Sequence, residues 1–198
     1  MSNKTDYRTI TREQFLFNEM RIVAILLHEG KSTEEAISEI VSKNLFQYPT
    51  EKMIKNLAQV CVKRYEKADK ELIGIVATSS SSVAKQACLF LMMNYYKIVS
   101  DFMITVIGEK YRTKDFTFTK MDMNSFFTRL QEQNETVASW SEETIKKSKS
   151  VLKKLLVDNG YLDNTKSEVL NPVLLEPSIK EVIERMNVSK ALVAFNCM

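Results

Sequence analysis

The chain is 198 residues long, 44% hydrophobic, and carries 28 lysines and arginines against 25 aspartates and glutamates, a formal charge of +3. That length builds one large or two small domains with real cores, and so modest a charge leaves any affinity for nucleic acid to local clustering. Three widely spaced cysteines, Cys61, Cys88 and Cys197, exclude a disulfide framework, a CxxC motif and a zinc spacing; the polar start MSNKTDYRTITREQ lacks the apolar core of a secretory signal, so a reducing cytoplasm is the expected setting.

Thr11 opens the first predicted helix with a capping box to Gln14, after which Phe15, Leu16, Met20, Val23, Ala24 and Leu27 line one face as far as Gly30. Ser32 with Glu35 forms a second box, followed by Ala36, Ile37, Ile40, Val41 and Leu45 at helical spacing. The connection between these two helices is short, which makes them packed neighbours. Pro49 stops the second, and Thr50 caps a third that runs from Glu51 to about Ala68. Its inward face is Met53, Ile54, Leu57, Cys61, Tyr65 and Ala68, and its outward face is Lys52, Lys55, Asn56, Gln59, Lys63 and Lys67. Lysine meets phosphate and planar amides pair with adenine edges, so this outward face is a candidate DNA surface. Glu51 and Glu66 beside it leave open a merely solvated face with ion pairs.

A short helix over Leu72 to Ala77 ends in the serine-rich run 78–82, from which a serine caps the next. From Val83 to Val106 the apolar residues keep helical spacing over about seven turns, with a break expected near Ser100, and form a central buried hairpin. Lys97 and Asp101 lie near the middle of this most apolar stretch, where each would cost about 2.5 to 3.5 kcal/mol in a bilayer; the run therefore reads as soluble core, not a membrane span. Met92, Met93 and Met103 read as core filler.

Residues 111–118 break the pattern and divide an N-terminal helical domain, 1–112, from a C-terminal domain, 113–198. Phe116-Thr117-Phe118 alternates as a short strand does, and Thr119 with Asp122 then starts a helix to Gln133 bearing Phe126, Phe127 and Leu130. After a linker holding Trp140 comes the strongest helix signature in the chain: Ser141 as cap, Glu142 and Glu143 in the first turn, and Gly160 as terminator. Ile145, Ser148, Leu152, Leu155 and Leu156 form its core face, and Lys146, Lys147, Ser150, Lys153 and Lys154 the opposite arc, with Lys149 on the flank. Tyr161–Asp163 and Glu168–Leu170 are expected to pair as a small hairpin about the turn 164–167, which carries Lys166. The fold class that follows is mainly α: an N-terminal bundle with helix-turn-helix character, then a winged helix-turn-helix-like unit with a small β-hairpin. Beyond Pro172 and Pro177, a final helix starts at Ser178, and residues 188–198 are apolar enough to dock.

Enzyme chemistry finds little support. His28 is the sole histidine, and the four glycines sit at predicted helix ends or a break, so neither a Walker loop nor GxGxxG can be built. No cofactor, metal or small-molecule substrate is expected, and no catalytic residue is assigned.

The order and spacing of Arg21-Ile22-Val23, Gly30, Asn44-Leu45, Asp101-Phe102 and Glu109-Lys110-Tyr111 resemble the BrxA family of bacteriophage-exclusion (BREX) systems. The likeness is strongest in Trp140-Ser141, Thr144, Lys146-Lys147, Val151-Leu152, Leu155-Leu156 and Gly160-Tyr161-Leu162. It implies a cytoplasmic, all-helical protein, in part NusB-like, that binds double-stranded DNA and works beside other BREX proteins. The expected activity is non-enzymatic duplex binding through Lys146, Lys147, Lys149, Ser150, Lys153, Lys154 and Lys166, joined by Lys52, Lys55, Asn56, Gln59 and Lys63. Two other readings stay open: a protein-protein scaffold of the defence complex, and RNA binding through the N-terminal helices.

Overall fold

The computed structural model describes residues 7–11 and 14–197. They form helices joined by short turns, and no β-strand is present among them. The chain divides into two compact units, but not as the sequential halves 1–112 and 113–198. One unit is Phe15–Tyr95 with Glu176–Val182; the other is Tyr96–Leu175 with Ile183–Met198 and the described part of Met1–Gln14.

The first unit holds α1 (Phe17–His28), α2 (Thr33–Ser42), α3 (Glu51–Arg64), α4 (Lys70–Thr78) and α5 (Ser81–Tyr95). α1 packs on α3 and α4, α2 on α3, and α4 on α5. The box at Ser32 and Glu35 forms as expected, and the Thr50 and Asp69 side chains cap α3 and α4. α1 begins at Phe17, after Leu16 turns into left-handed backbone at φ 53°; the expected box from Thr11 to Gln14 spans residues outside those described. Arg64 is buried at the end of α3, where its Nη1 donates to the Phe15 carbonyl at 3.0 Å. Beside it the Tyr65 hydroxyl donates to the Met20 carbonyl at 2.8 Å, so α3 holds the start of α1 by two polar ties as well as by apolar packing. The α2 to α3 connection, residues 43–50, passes through two left-handed residues, Asn44 and Gln47, and is longer than the three or four residues of a helix-turn-helix turn.

The second unit opens with α6 (Lys97–Phe102), a π-helical stretch (Met103–Gly108) and α7 (Glu109–Thr113). The break in the long apolar run falls at Tyr96, which is extended at ψ 107°, and not near Ser100. No single helix among the described residues is long and apolar enough to cross a membrane. α8 (Lys120–Gln133), α9 (Glu135–Ala138) and α10 (Glu142–Asp158) follow in close succession. α11 (Pro177–Arg185) contributes to both units, and a 3-10 helix (Ser189–Phe195) packs on the π-helical stretch. That contact needs glycine at 108, because a β-carbon there would stand 2.6 Å from Val193 Cγ2.

The predicted hairpin is not formed. Glu168–Leu170 meets Phe116–Phe118 instead, through a single antiparallel bridge, Thr117 to Val169, with Phe118 N–H donating to the Glu168 carbonyl at 2.8 Å and Leu170 N–H to the Phe116 carbonyl at 2.7 Å. The Tyr161 N–H is unavailable for pairing with that segment because it closes the end of α10, and the Tyr161 carbonyl accepts instead from Asn171 N–H, just beyond the segment, at 2.9 Å. Gly160 takes φ 77°, Gly160 N–H donates to the Val157 carbonyl, and Tyr161 N–H to that of Leu156, the Schellman pattern. Tyr161 and Leu162 then both enter the core, which an alternating strand does not permit.

Candidate nucleic-acid interface

α10 is built from the local rules that its sequence announces. The Ser141 hydroxyl accepts from Thr144 N–H at 3.2 Å, and Glu142 and Glu143 occupy the positive first turn. Ile145, Ser148, Leu152, Leu155 and Leu156 are buried, which turns the remaining arc outward. α9 precedes it by the three residues Ser139–Ser141, the spacing of a helix-turn-helix, although α9 is a single turn that sequence periodicity cannot reveal. Its signal was Asn134, whose side chain accepts from Val137 N–H at 3.1 Å and caps it.

The predicted contact residues on this helix fall into distinct groups. Lys146, Lys147, Ser150 and Lys154 are exposed and Lys149 and Lys153 half-buried. Lys147 pairs with Glu143 at 2.7 Å, and this hydrogen bond, with the charges of Lys147 and Lys146, holds the Glu143 carboxyl below its usual range. Lys154 Nζ donates to Gln14 Oε1 at 3.3 Å. Lys149 Nζ donates to Asn124 Oδ1 at 2.8 Å and lies 5.5 Å from the centre of the Phe127 ring, so it fastens α10 to α8. Ser150 donates to the Lys146 carbonyl within its own helix. Lys153 has no partner among the described residues, and neither has Lys166 Nζ, on the turn where Asn164 accepts from Lys166 N–H at 2.8 Å. The loop carrying Lys166 is closed at its base by Asn171, which donates to the Gly160 carbonyl and to Asp163.

In the other unit, Lys52, Lys55, Asn56, Gln59 and Lys63 are all exposed along α3. The first set thus lies on one unit and this set on the other.

The residues at the N-terminal end of the sequence signature have structural partners. Arg21 donates to the Ser79 carbonyl at 2.7 Å, at the C-terminus of α4. Asp101 accepts from Lys97 at 2.8 Å and from the Tyr7 hydroxyl. Lys110, almost buried, lies 3.0 Å from both Asp115 and Asp122, and Tyr111 donates to the Asn171 carbonyl at 2.6 Å. Burial works against the Lys110 ammonium, but the hydrogen bonds to Asp122 and Asp115 outweigh it and raise its pKa.

A mainly helical chain of two units, one of which carries a lysine-bearing helix close behind a single-turn helix, is the class of protein that the fold defines. The family profile described as BrxA matches residues 6–187. A Bacillus cereus protein named BREX protein BrxA is 34% identical over 168 residues, 84% of either chain, and an Escherichia coli protein of the same name is 25% identical over 85% of this chain and 79% of its own. A crystal structure of an uncharacterized protein from Magnetospirillum magneticum shares the fold, with a TM-score of 0.81 at 20% identity over 96% of this chain and 97% of that one. The chain belongs to the BrxA family.

Proposed function

We propose that the chain is a cytoplasmic, non-enzymatic DNA-binding component of a BREX phage-defence system, and that α10 is the helix that meets the duplex. The observation that carries this reading is the arc of α10. Lys146, Lys153 and Lys154 form a ridge about 12 Å long at 1.5 Å per residue, anchored from behind by Leu152, Leu155 and Leu156 and without an ion pair among the described residues. Cations held on a rigid helix and not ion-paired with carboxylates release counterions when they neutralise phosphates. α9, the turn and α10 act as the helix-turn-helix, and the loop bearing Lys166 follows the backbone beside it. Lys147 contributes less, since it must leave Glu143 first. Other BREX proteins are its partners in this setting, and exposed Met121 and Val169 offer them apolar contact.

Titration of duplex DNA at several salt concentrations tests the reading. Binding is expected to weaken with salt at a slope of roughly −0.9 per neutralised phosphate, and Lys146→Glu/Lys153→Glu to lower both affinity and slope. Unchanged affinity in the folded double variant sinks it. Preference for structured RNA over duplex DNA in competition favours the other reading, RNA binding through the N-terminal helices.

A further inference from the structure

Resting on the α10 reading and extending it, we propose that the chain has two duplex-binding valences, one on each unit, and holds two DNA segments at once. The second valence is the outward face of α3. Lys52, Lys55, Asn56, Gln59 and Lys63 fall within an arc of about 100° and extend over about 16 Å of helix. All five are exposed, and none of the three lysines has a carboxylate partner among the described residues. Glu39, Glu35 and Glu19, on the helices that pack against α3, are engaged elsewhere: Glu39 with Lys31 at 2.6 Å and Lys43 at 2.9 Å, Glu35 with the Ser32 amide, and Glu19 with the Tyr48 hydroxyl. Glu51 and Glu66 stand at the ends of this ridge and form no ion pair with it.

The ridge is as firmly mounted as α10. Ile54, Ala58, Cys61 and Val62 are buried behind it, and Arg64 and Tyr65 bolt its end to α1. A major groove admits one helix, and the two lysine ridges are mounted on separate cores, so each is a groove-sized surface in its own right. Their chemistry also differs. α3 offers Asn56 and Gln59, amides that pair with adenine, whereas the α10 ridge offers lysines and a serine bonded to its own helix. When both segments belong to one DNA molecule, the second binding event is intramolecular and gains from effective concentration.

The test is a sandwich assay at low salt. A biotinylated duplex on beads is loaded with the full chain, washed, and offered a fluorescent second duplex. The wild-type chain is expected to retain the second duplex. Lys52→Glu/Lys55→Glu/Lys63→Glu is expected to load on the first duplex within about twofold of wild type and to lose at least tenfold of the retained fluorescence. The milder Lys52→Gln/Lys55→Gln/Lys63→Gln triple, checked for helicity by circular dichroism, stands in should the first variant fold poorly. Absence of retention by the wild type, or retention that survives the α3 variants, overturns the proposal. So does a parallel loss of loading and retention, which marks one composite surface. Lys146→Glu/Lys153→Glu is expected to load through α3 and likewise to lose the retained fluorescence; an α10 variant that retains the second duplex as the wild type does, while the α3 variant does not, overturns the reading of α10 and not that of α3.

Discussion

Lys149 donates to Asn124 and lies over Phe127, so its charge is used within the protein. Lys149→Gln is therefore expected to lower stability by about 1 kcal/mol, the sum of a modest cation-π contact and a hydrogen bond, with the slope of log K against log salt unchanged. Thermal melts and salt titrations read the two effects separately, and Lys149→Arg should restore the melt. A slope reduced by about one with an unaltered melt would return Lys149 to the phosphate-binding set. Helical spacing placed this lysine on the flank of α10, but only the third dimension supplies Phe127 as a floor. Arg64 is the converse case: it reads as one more basic residue of α3, yet it is 1% exposed and donates to a carbonyl forty-nine positions earlier. Its position three residues after Cys61 lies at the edge of the apolar face, and its charge conceals that. Ser148, by contrast, was assigned to the core face by spacing alone, and it is fully buried.

At the level of elements, caps and stops were legible and pairings were not. Ser32, Thr50, Thr119, Ser141 and Gly160 each act as their local chemistry predicts, because a cap is decided within four residues. Strand partners are decided by distance in space, and Glu168–Leu170 pairs with a segment some fifty residues earlier in preference to its neighbour. The connection from α7 to α8 shows the same dependence on space. Asp122 accepts from Thr119 N–H in the capping box and also meets Lys110, while Asp115 accepts from the Thr117 hydroxyl and amide and meets Lys110 from the other side. These bonds hold Asp115 down to about 2 and outweigh burial to hold Asp122 below its usual value. Both carboxylates are thus more acidic folded than unfolded, so their contribution is complete above the ordinary aspartate range and is lost as pH falls through it toward 2. Chemical denaturation between pH 5 and pH 2.5 should show stability falling with acid, and Asp115→Asn should flatten that fall. A pH dependence identical in the variant removes Asp115 from the account.

For the molecule as a whole, the decisive feature is that its units are assembled from separated stretches of chain. Glu176–Val182 completes one and Ile183–Met198 the other, with Ile179, Val182, Ile183, Ala191, Ala194 and Phe195 all buried. A chain ending at Leu175 is therefore expected to lose core from both units and to melt without cooperativity, and it exposes the π-helical stretch around Gly108 and the Tyr161 hydroxyl that donates to the Ala194 carbonyl at 2.9 Å. A sharp melt within a few degrees of the full chain's would show that the C-terminal segment is dispensable. Composition, periodicity and capping residues by themselves determined that this protein is helical, where most of its helices start and stop, and which lysines face outward, because each of these is settled by hydrogen bonds and side chains within a turn or two. Only the tertiary structure decided where one unit ends and the other begins, which segment meets Glu168–Leu170, and which lysines are already bound. Those outcomes depend on residues far apart in the chain that compete for the same buried surface and the same few charges.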